Sequence, residues 1–208
     1  MFKNEPIAGR TRPTGRRRSF DEAQVLAAAM QAFRRHGYQG VSVRDLEVAT
    51  GLSAGSLYNA FGDKTGLLEA AFKHYTEVVL KARLNKYAPA GAGMAGVREV
   101  FRTLLHEPDG GSFGCLITNF AIEFGGHDQP EPLILGAFDL LRSTFAERLA
   151  AARQHGHLPD NVNPETAALQ LLALYQGILV LVRGGYDKPA LEQLIDAQFN
   201  ALEGNHAS

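Results

Sequence analysis

Residues 41–68 read VSVRDLEVATGLSAGSLYNAFGDKTGLL, and this stretch decides how the rest of the chain is read. Ser42 stands before Val43 with Asp45 three residues on, the pattern of a capping box that opens a helix. Val43, Leu46 and Ala49 then recur at helical spacing. Gly51 ends that helix, because glycine accepts the left-handed backbone that a sharp reversal needs. Ser53 caps a second helix reaching Phe61, and Asp63 caps a third. The middle helix has only about two turns and needs tertiary support. Leu57 and Phe61 lie four apart and pin one face inward. The opposite face carries Gly55 and Asn59, flanked by Ser56 and Tyr58. A small surface rich in hydrogen-bonding groups suits a helix lowered into a DNA major groove. The expectation is a helix-turn-helix.

The run V-S-V-R-D-L, then G-L-S-A-G-S-L-Y-N-A-F, then D-K-T-G-L-L, resembles the DNA-binding domain of the tetracycline-repressor (TetR) family of bacterial regulators. Ser42, Gly51, Ser53, Leu57, Tyr58, Phe61 and Lys64 carry the resemblance, over about residues 20–70. It implies an all-α protein whose C-terminal domain binds a small-molecule effector and pairs with a second copy. Ser53, Ala54, Gly55, Ser56 and Asn59 are the candidates for groove contacts. Ser42, Tyr58 and Lys64 are candidates for phosphate, Lys64 with help from the adjacent helix N-terminus. Ala54 and Gly55 are smaller than the polar residues common in such helices, which shifts weight to Asn59, basic residues and DNA shape.

Charge distribution agrees with that reading. The chain has 208 residues and a net charge of −1. Residues 1–64 hold ten Lys/Arg against six Asp/Glu, a net of +4, leaving −5 for the remainder. A basic N-terminal part on an acidic body is an electrostatic footprint of DNA binding. Residues 1–18 are rich in Pro, Gly and basic side chains and read as a flexible arm. Arg16, Arg17 and Arg18 are placed to reach phosphates or the minor groove. One cysteine, Cys115, excludes a disulfide within the chain and fits a reducing cytoplasm. No signal peptide is evident, and the apolar run 171–182 reads as too short to cross a bilayer. A soluble, cytoplasmic protein is expected.

In order, Ser19 and Glu22 suggest a capping box for a first helix over about 20–36, stopped by Gly37. Residues 19–63 form a three-helix DNA-binding domain, and 64–204 a helical ligand-binding and dimerisation domain. A long helix follows from Lys64 to about Tyr87 without an obvious break, with Leu67, Leu68, Ala71, Tyr75, Val78 and Val79 available for burial. Further helices are expected over about 95–106, 115–125, 130–155, 166–182 and 188–202, about nine in all.

The helix from Thr166 to Val182 is apolar on more than one face and reads as buried all round. With the helix from Lys188 to Leu202 it would pair across a two-fold axis into a four-helix bundle, which is also how the resemblance implies dimerisation. A dimer presents two recognition helices to a palindromic double-stranded site.

Among the central helices, Phe101, Phe113, Phe120, Phe124, Phe138, Phe145 and Tyr175 either fill a core or line an effector pocket. Asn119, Glu123, His127 and Gln176 would supply the pocket's few polar groups. Cys115 is either a small packed residue or a reactive thiol favoured by a helix N-terminus, since G-C-L-I-x-N resembles a segment in a branch of the family that includes cysteine sensors. His155 and His157 lack a third metal ligand nearby in sequence. No phosphate loop, nucleophile elbow or paired-carboxylate motif appears, so no cofactor is expected. A helical enzyme or scaffold with a degenerate DNA domain is the reading from a different class.

Overall fold

The computed structural model describes residues 20–106, 115–125 and 132–204, and among these every regular element is a helix. The helices are α1 (Glu22–Gly40), α2 (Val43–Thr50), α3 (Ala54–Phe61), α4 (64–87), α5 (Gly93–Arg102), α6 (Leu116–Phe124), α7 (Pro132–Gln154), α8 (Pro164–Arg183) and α9 (Lys188–Leu202). Arg16, Arg17 and Arg18, Phe113 and His127 lie outside the described residues.

Local chemistry sets most of the helix ends. Ser42 and Asp45 form the reciprocal capping box of α2, and Gly51 closes that helix in the left-handed region at φ 70°. Ser53 caps α3 by accepting the Ser56 N–H, and Asp63 caps α4 by accepting the Gly66 N–H. Asn163 and Asp187 cap α8 and α9, each ahead of an early proline. Three boundaries differ from the sequence expectation. Helix α1 begins at Glu22 under an Asp21 cap rather than at Phe20 under Ser19, because the Asp21 carboxylate accepts both the Ala23 and Gln24 N–H groups. Helix α5 runs two residues earlier than expected and ends at Arg102, where Leu104 and Leu105 turn back in three-residue hydrogen-bonded steps. Gly37 does interrupt α1, at φ 71°, and the short piece beyond it carries Tyr38.

Helix α4 is continuous but not regular. Lys64–His74 and Lys81–Tyr87 are α-helical, and Tyr75–Leu80 between them is one π-helical turn in which the Lys81 N–H reaches the Thr76 carbonyl five residues back. The extra residue re-phases the buried stripe. Leu68, Phe72 and Tyr75 are buried, and the stripe resumes at Leu80 and Leu84 rather than at Val78. Val78, expected inside, is 52% exposed for this reason.

One apolar cluster runs from Val25 to Leu202 and includes residues of all nine helices. At its centre Phe101 sits edge-on to Tyr175 (5.6 Å) and Phe199 (5.4 Å), with Phe145 at 5.7 Å. Arg98 pairs with Glu203 and Arg102 with Asp196, holding α9 against α5.

Helix α8 corrects another expectation. Its inner face (Leu171, Tyr175, Ile178) is fully buried, but Leu169 is 58% and Val180 51% exposed, so it is not buried all round within one chain. Its 20 residues are also long and apolar enough to cross a membrane by length and composition, contrary to the shorter run read from sequence. Here the helix instead packs its inner face against α7 in a helical core.

Phe101 touches three other aromatic rings and has no exposure. Phe101→Ala is therefore expected to cost about 3–5 kcal/mol in urea unfolding. A loss under about 1 kcal/mol would show that the ring cluster does not anchor the body.

Candidate nucleic-acid interface

The candidate surface is the outer face of α3 and what holds it in place. Gly55, Ser56 and Asn59 are exposed, and Leu57 on the opposite face is fully buried. Ser53 is exposed at the N-cap, with its hydroxyl 3.0 Å from that of Ser56. Ala54 and Tyr58 are half-buried, and Tyr58 packs its ring against the core. A Cβ built on Gly55 meets nothing within 4 Å. Packing within the chain therefore does not demand glycine at this position, and its effect is to leave the face bare to whatever approaches from outside.

Both ends of α3 are tied down by residues the local pattern did not single out. The Glu47 carboxylate on α2 accepts the Ala54 N–H at 2.6 Å, which uses one of the unpaired donors of the α3 first turn. At the other end, a Cβ on Gly66 would stand 2.1 Å from the Phe61 carbonyl oxygen. Only glycine lets the first turn of α4 come so close to the end of α3. Neither partner is visible from helical periodicity, since each contact depends on how two helices cross.

The other candidates surround this face. Ser42 is exposed, and its hydroxyl donates to Asp45 at 2.6 Å within the capping box. Those hydrogen bonds from Ser42 hold the Asp45 carboxyl below its usual range. Lys64 places its ammonium 4.5 Å from the Tyr38 ring centroid, and the Tyr38 hydroxyl lies 2.8 Å from the Thr65 hydroxyl. Tyr38 and Thr65 thus join Lys64 in one cluster, a grouping hidden from sequence because Tyr38 and Thr65 are 27 positions apart.

Behind this domain, α6 connects α1 to α8 through polar contacts. Asn119 donates to the Arg34 carbonyl at 3.2 Å, and Glu123 accepts the Tyr38 N–H at 2.7 Å. On the other side, Arg183 of α8 donates to the Asn119 side chain, and Thr118 donates to Gln176 at 2.5 Å. Rings continue the connection: Phe124 lies 5.1 Å from Tyr38 and 4.5 Å from Phe120, which in turn is 4.8 Å from Phe72 of α4.

Of the expected effector residues, Asn119 and Glu123 line a cavity of about 230 Å³ together with Cys115, Thr118, His36 and Arg183. A second groove of about 370 Å³ lies between α4 and α7. Phe101 and Tyr175 line neither, because they fill the central ring cluster, and Phe120 belongs to the aromatic seam. Phe138 and Gln176 also line neither cavity. The Gln176 Nε2 is buried without a hydrogen-bond partner. Cys115 is buried at the N-cap of α6, its sulfur 3.2 Å from the Tyr75 hydroxyl. Burial pushes the Tyr75 hydroxyl well above its ordinary range. His155 and His157 stack at 6.4 Å, and among the described residues no group of three or more metal-ligating side chains forms.

Comparison with known proteins adds to this geometry. The family described as "Bacterial regulatory proteins, tetR family" matches residues 25–71, and "Tetracyclin repressor-like, C-terminal domain" matches residues 94–198. The chain is 41% identical over 184 residues to the HTH-type transcriptional repressor ComR of Escherichia coli, covering 86% of this chain and 88% of ComR. It is 28% identical over 201 residues to the HTH-type transcriptional regulator YezE of Bacillus subtilis, covering 91% of this chain and all of YezE. Among solved structures, a cysteine mutant of the regulator CifR on a 26-base-pair operator DNA superposes with a TM-score of 0.75 at 25% identity, over 90% of this chain and all of that one.

Gly37 is held twice, by its positive φ and by a Glu123 oxygen 2.4 Å from where a Cβ would sit. Gly51 has the positive φ but open space. Gly51→Ala is expected to cost about 1–2 kcal/mol. Gly37→Ala should cost that plus about 1–3 kcal/mol for the displaced carboxylate. Equal losses in denaturant unfolding would mean that the α1–α6 contact yields freely.

Proposed function

The chain belongs to the TetR family of bacterial regulatory proteins, and from that premise we propose that it is a homodimeric repressor released from a palindromic operator by a small molecule. The observation that carries the reading is the bare outer face of α3, bounded by Gly55, Ser56 and Asn59 and braced at both ends by Glu47 and Gly66. A helix so short holds its orientation only through such braces, and a fixed orientation is what reading base edges requires. ComR carries the name repressor, and CifR is the relative solved on operator DNA. These relatives are named as transcriptional regulators, not enzymes.

In this reading Ser53, Ala54, Gly55, Ser56 and Asn59 meet the groove, with Asn59 the side chain best suited to a base edge. Ser42, Tyr58 and Lys64 meet phosphates, and Tyr38 and Thr65 steady Lys64 from behind. The basic residues Arg16, Arg17 and Arg18 add sequence-independent attraction. The protein works where bacterial DNA is, in the cytoplasm.

The dimer face is the exposed side of α8 and α9. Leu169, Ala173, Gly177, Val180 and Leu181 on α8 follow one another at helical spacing and are all exposed, as are Leu194, Ala197 and Ala201 on α9. Such a stripe on a lone chain is apolar surface that a partner would cover. Small residues at its middle let two helices approach closely, and a Cβ on Gly177 meets nothing within 4 Å of its own chain. Two copies related by a two-fold axis would bury these stripes in a four-helix bundle.

Binding is read by titrating labelled duplex, including DNA upstream of the chain's own coding region, over a range of salt. Lys64→Ala should weaken binding to every sequence and lower the salt slope by about one. If it instead relaxes discrimination at one base position, Lys64 does not meet phosphate. Ala173→Asp buries a charge at the centre of the α8 stripe and should yield monomers by light scattering, with operator affinity lost. A dimeric Ala173→Asp protein would move the interface elsewhere.

A further inference from the structure

The cavity of about 230 Å³ lies where the end of α1 meets α6 and α8, behind the DNA-binding helices. Its volume falls below the roughly 300–1,000 Å³ usual for drug-sized ligands. We propose that this cavity is the effector site, and that it takes a small molecule with a short apolar body and an oxygen-acceptor head, a carbonyl or a carboxylate. The inference rests on the reading of the chain as a ligand-released repressor and assigns that release to a place.

The lining divides by chemistry. Ile122, Leu179 and Val180 form an apolar wall, with Ile122 exposed at the rim and Val180 at the edge of the stripe assigned to the dimer. Arg183 and His36 carry N–H donors, and a guanidinium fork suits a carbonyl or carboxylate oxygen better than any cationic group. Among the described residues of the lining Glu123 is the one carboxylate, and it is engaged with the Tyr38 N–H. An amine head would be left with the other Glu123 oxygen, which lies against Gly37, and would have Arg183 in the same cavity. The acceptor head meets its complement directly.

The same side chains hold the DNA-binding domain to the body. Asn119 contacts both Arg183 on α8 and the Arg34 carbonyl on α1, and Glu123 meets Tyr38 just past Gly37. A head group that draws Arg183 toward itself takes it from Asn119. An apolar body wedged against Ile122 shifts α6, and α6 cannot shift without disturbing Glu123 against Gly37, where there is no room for a Cβ. The guest therefore binds one arrangement of α1 on α6 better than the other, which is the differential affinity that release from DNA requires. The α4–α7 groove meets that junction only through Phe72, whose ring touches Phe120, and through none of its polar contacts. Its lining includes Lys73, Glu77, Lys81 and Asp139, and no residue of α1 or α6.

The test uses the full-length protein with butyrate, hexanoate, octanoate and methyl pentyl ketone as probes and hexylamine as the cationic control. Thermal melting without DNA reads binding, and anisotropy titration of the operator reads coupling. The expected result is a raised Tm with at least one acceptor probe, together with operator affinity weakened about tenfold. Hexylamine should give neither. Arg183→Met and Ile122→Trp should abolish both responses, and Lys73→Met in the other groove should retain them. Ile122 is 73% exposed, so Ile122→Trp is expected to fold even if Arg183→Met unfolds, and its melting curve without probe checks this. No melting shift with any acceptor probe overturns the proposal. So does a shift lost only in Lys73→Met, or one that leaves operator affinity unchanged. Failure to bind any operator sinks the repressor reading instead, and the melting arm still decides whether the cavity takes these molecules.

Discussion

One helix has to be buried in two places at once. The first turns of α4 close the DNA-binding domain through Leu67, Leu68 and Ala71, while Leu80 and Leu84 belong to the body. A regular helix keeps a single phase, so a stripe facing one neighbour drifts away from a second neighbour set at another angle. The π turn at Tyr75–Leu80 supplies the missing rotation by inserting one residue between two buried runs. The helix stays hydrogen-bonded through the join. A change of tilt in the body therefore reaches the first turn of α4, and with it Gly66 and the end of α3, without a flexible link to absorb it.

A second, parallel connection runs through α6. Polar groups withdrawn from water cost free energy unless paired, and the half-buried face of α6 pairs nearly all of its own across element boundaries. Asn119 bonds to α1 and α8 together, Thr118 to α8, and Glu123 to the backbone beyond Gly37. Contacts of this kind are made or unmade, and do not stretch gradually. That fixes the junction of α1 with α6 by discrete contacts, where a purely apolar seam would slide. The aromatic run from Tyr38 through Phe124 and Phe120 to Phe72 ties the same junction back to α4.

The recognition surface obeys a different rule, since its outward side chains are small and its inward fittings exacting. Leu57, Glu47 and Gly66 set the pose of α3, whereas Gly55 contributes by leaving space. Stability and recognition are thus divided between opposite sides of two helical turns.

The helix-turn-helix was legible in the sequence because its signals are local: capping residues next to the turn they cap, glycines at positive φ, and apolar residues four apart. The same holds for the spans of α8 and α9 and for the count of nine helices among the described residues. Whatever depends on how distant segments cross was not legible. No local pattern foretold the π turn that turns Val78 outward, the Glu47 brace, or the Tyr38–Lys64–Thr65 cluster. Composition left Phe101 and Tyr175 open to a core or a ligand pocket, and only the meeting of α5, α7, α8 and α9 closed them into a ring cluster. The sequence alone determined which segments are helical and which of them carries the small polar outer face, because capping bonds and spacing over three or four residues decide that. The tertiary structure decided where a cavity remains and which side chains link the domains, because those depend on packing between residues 58 to 85 positions apart, and no periodicity reports that distance.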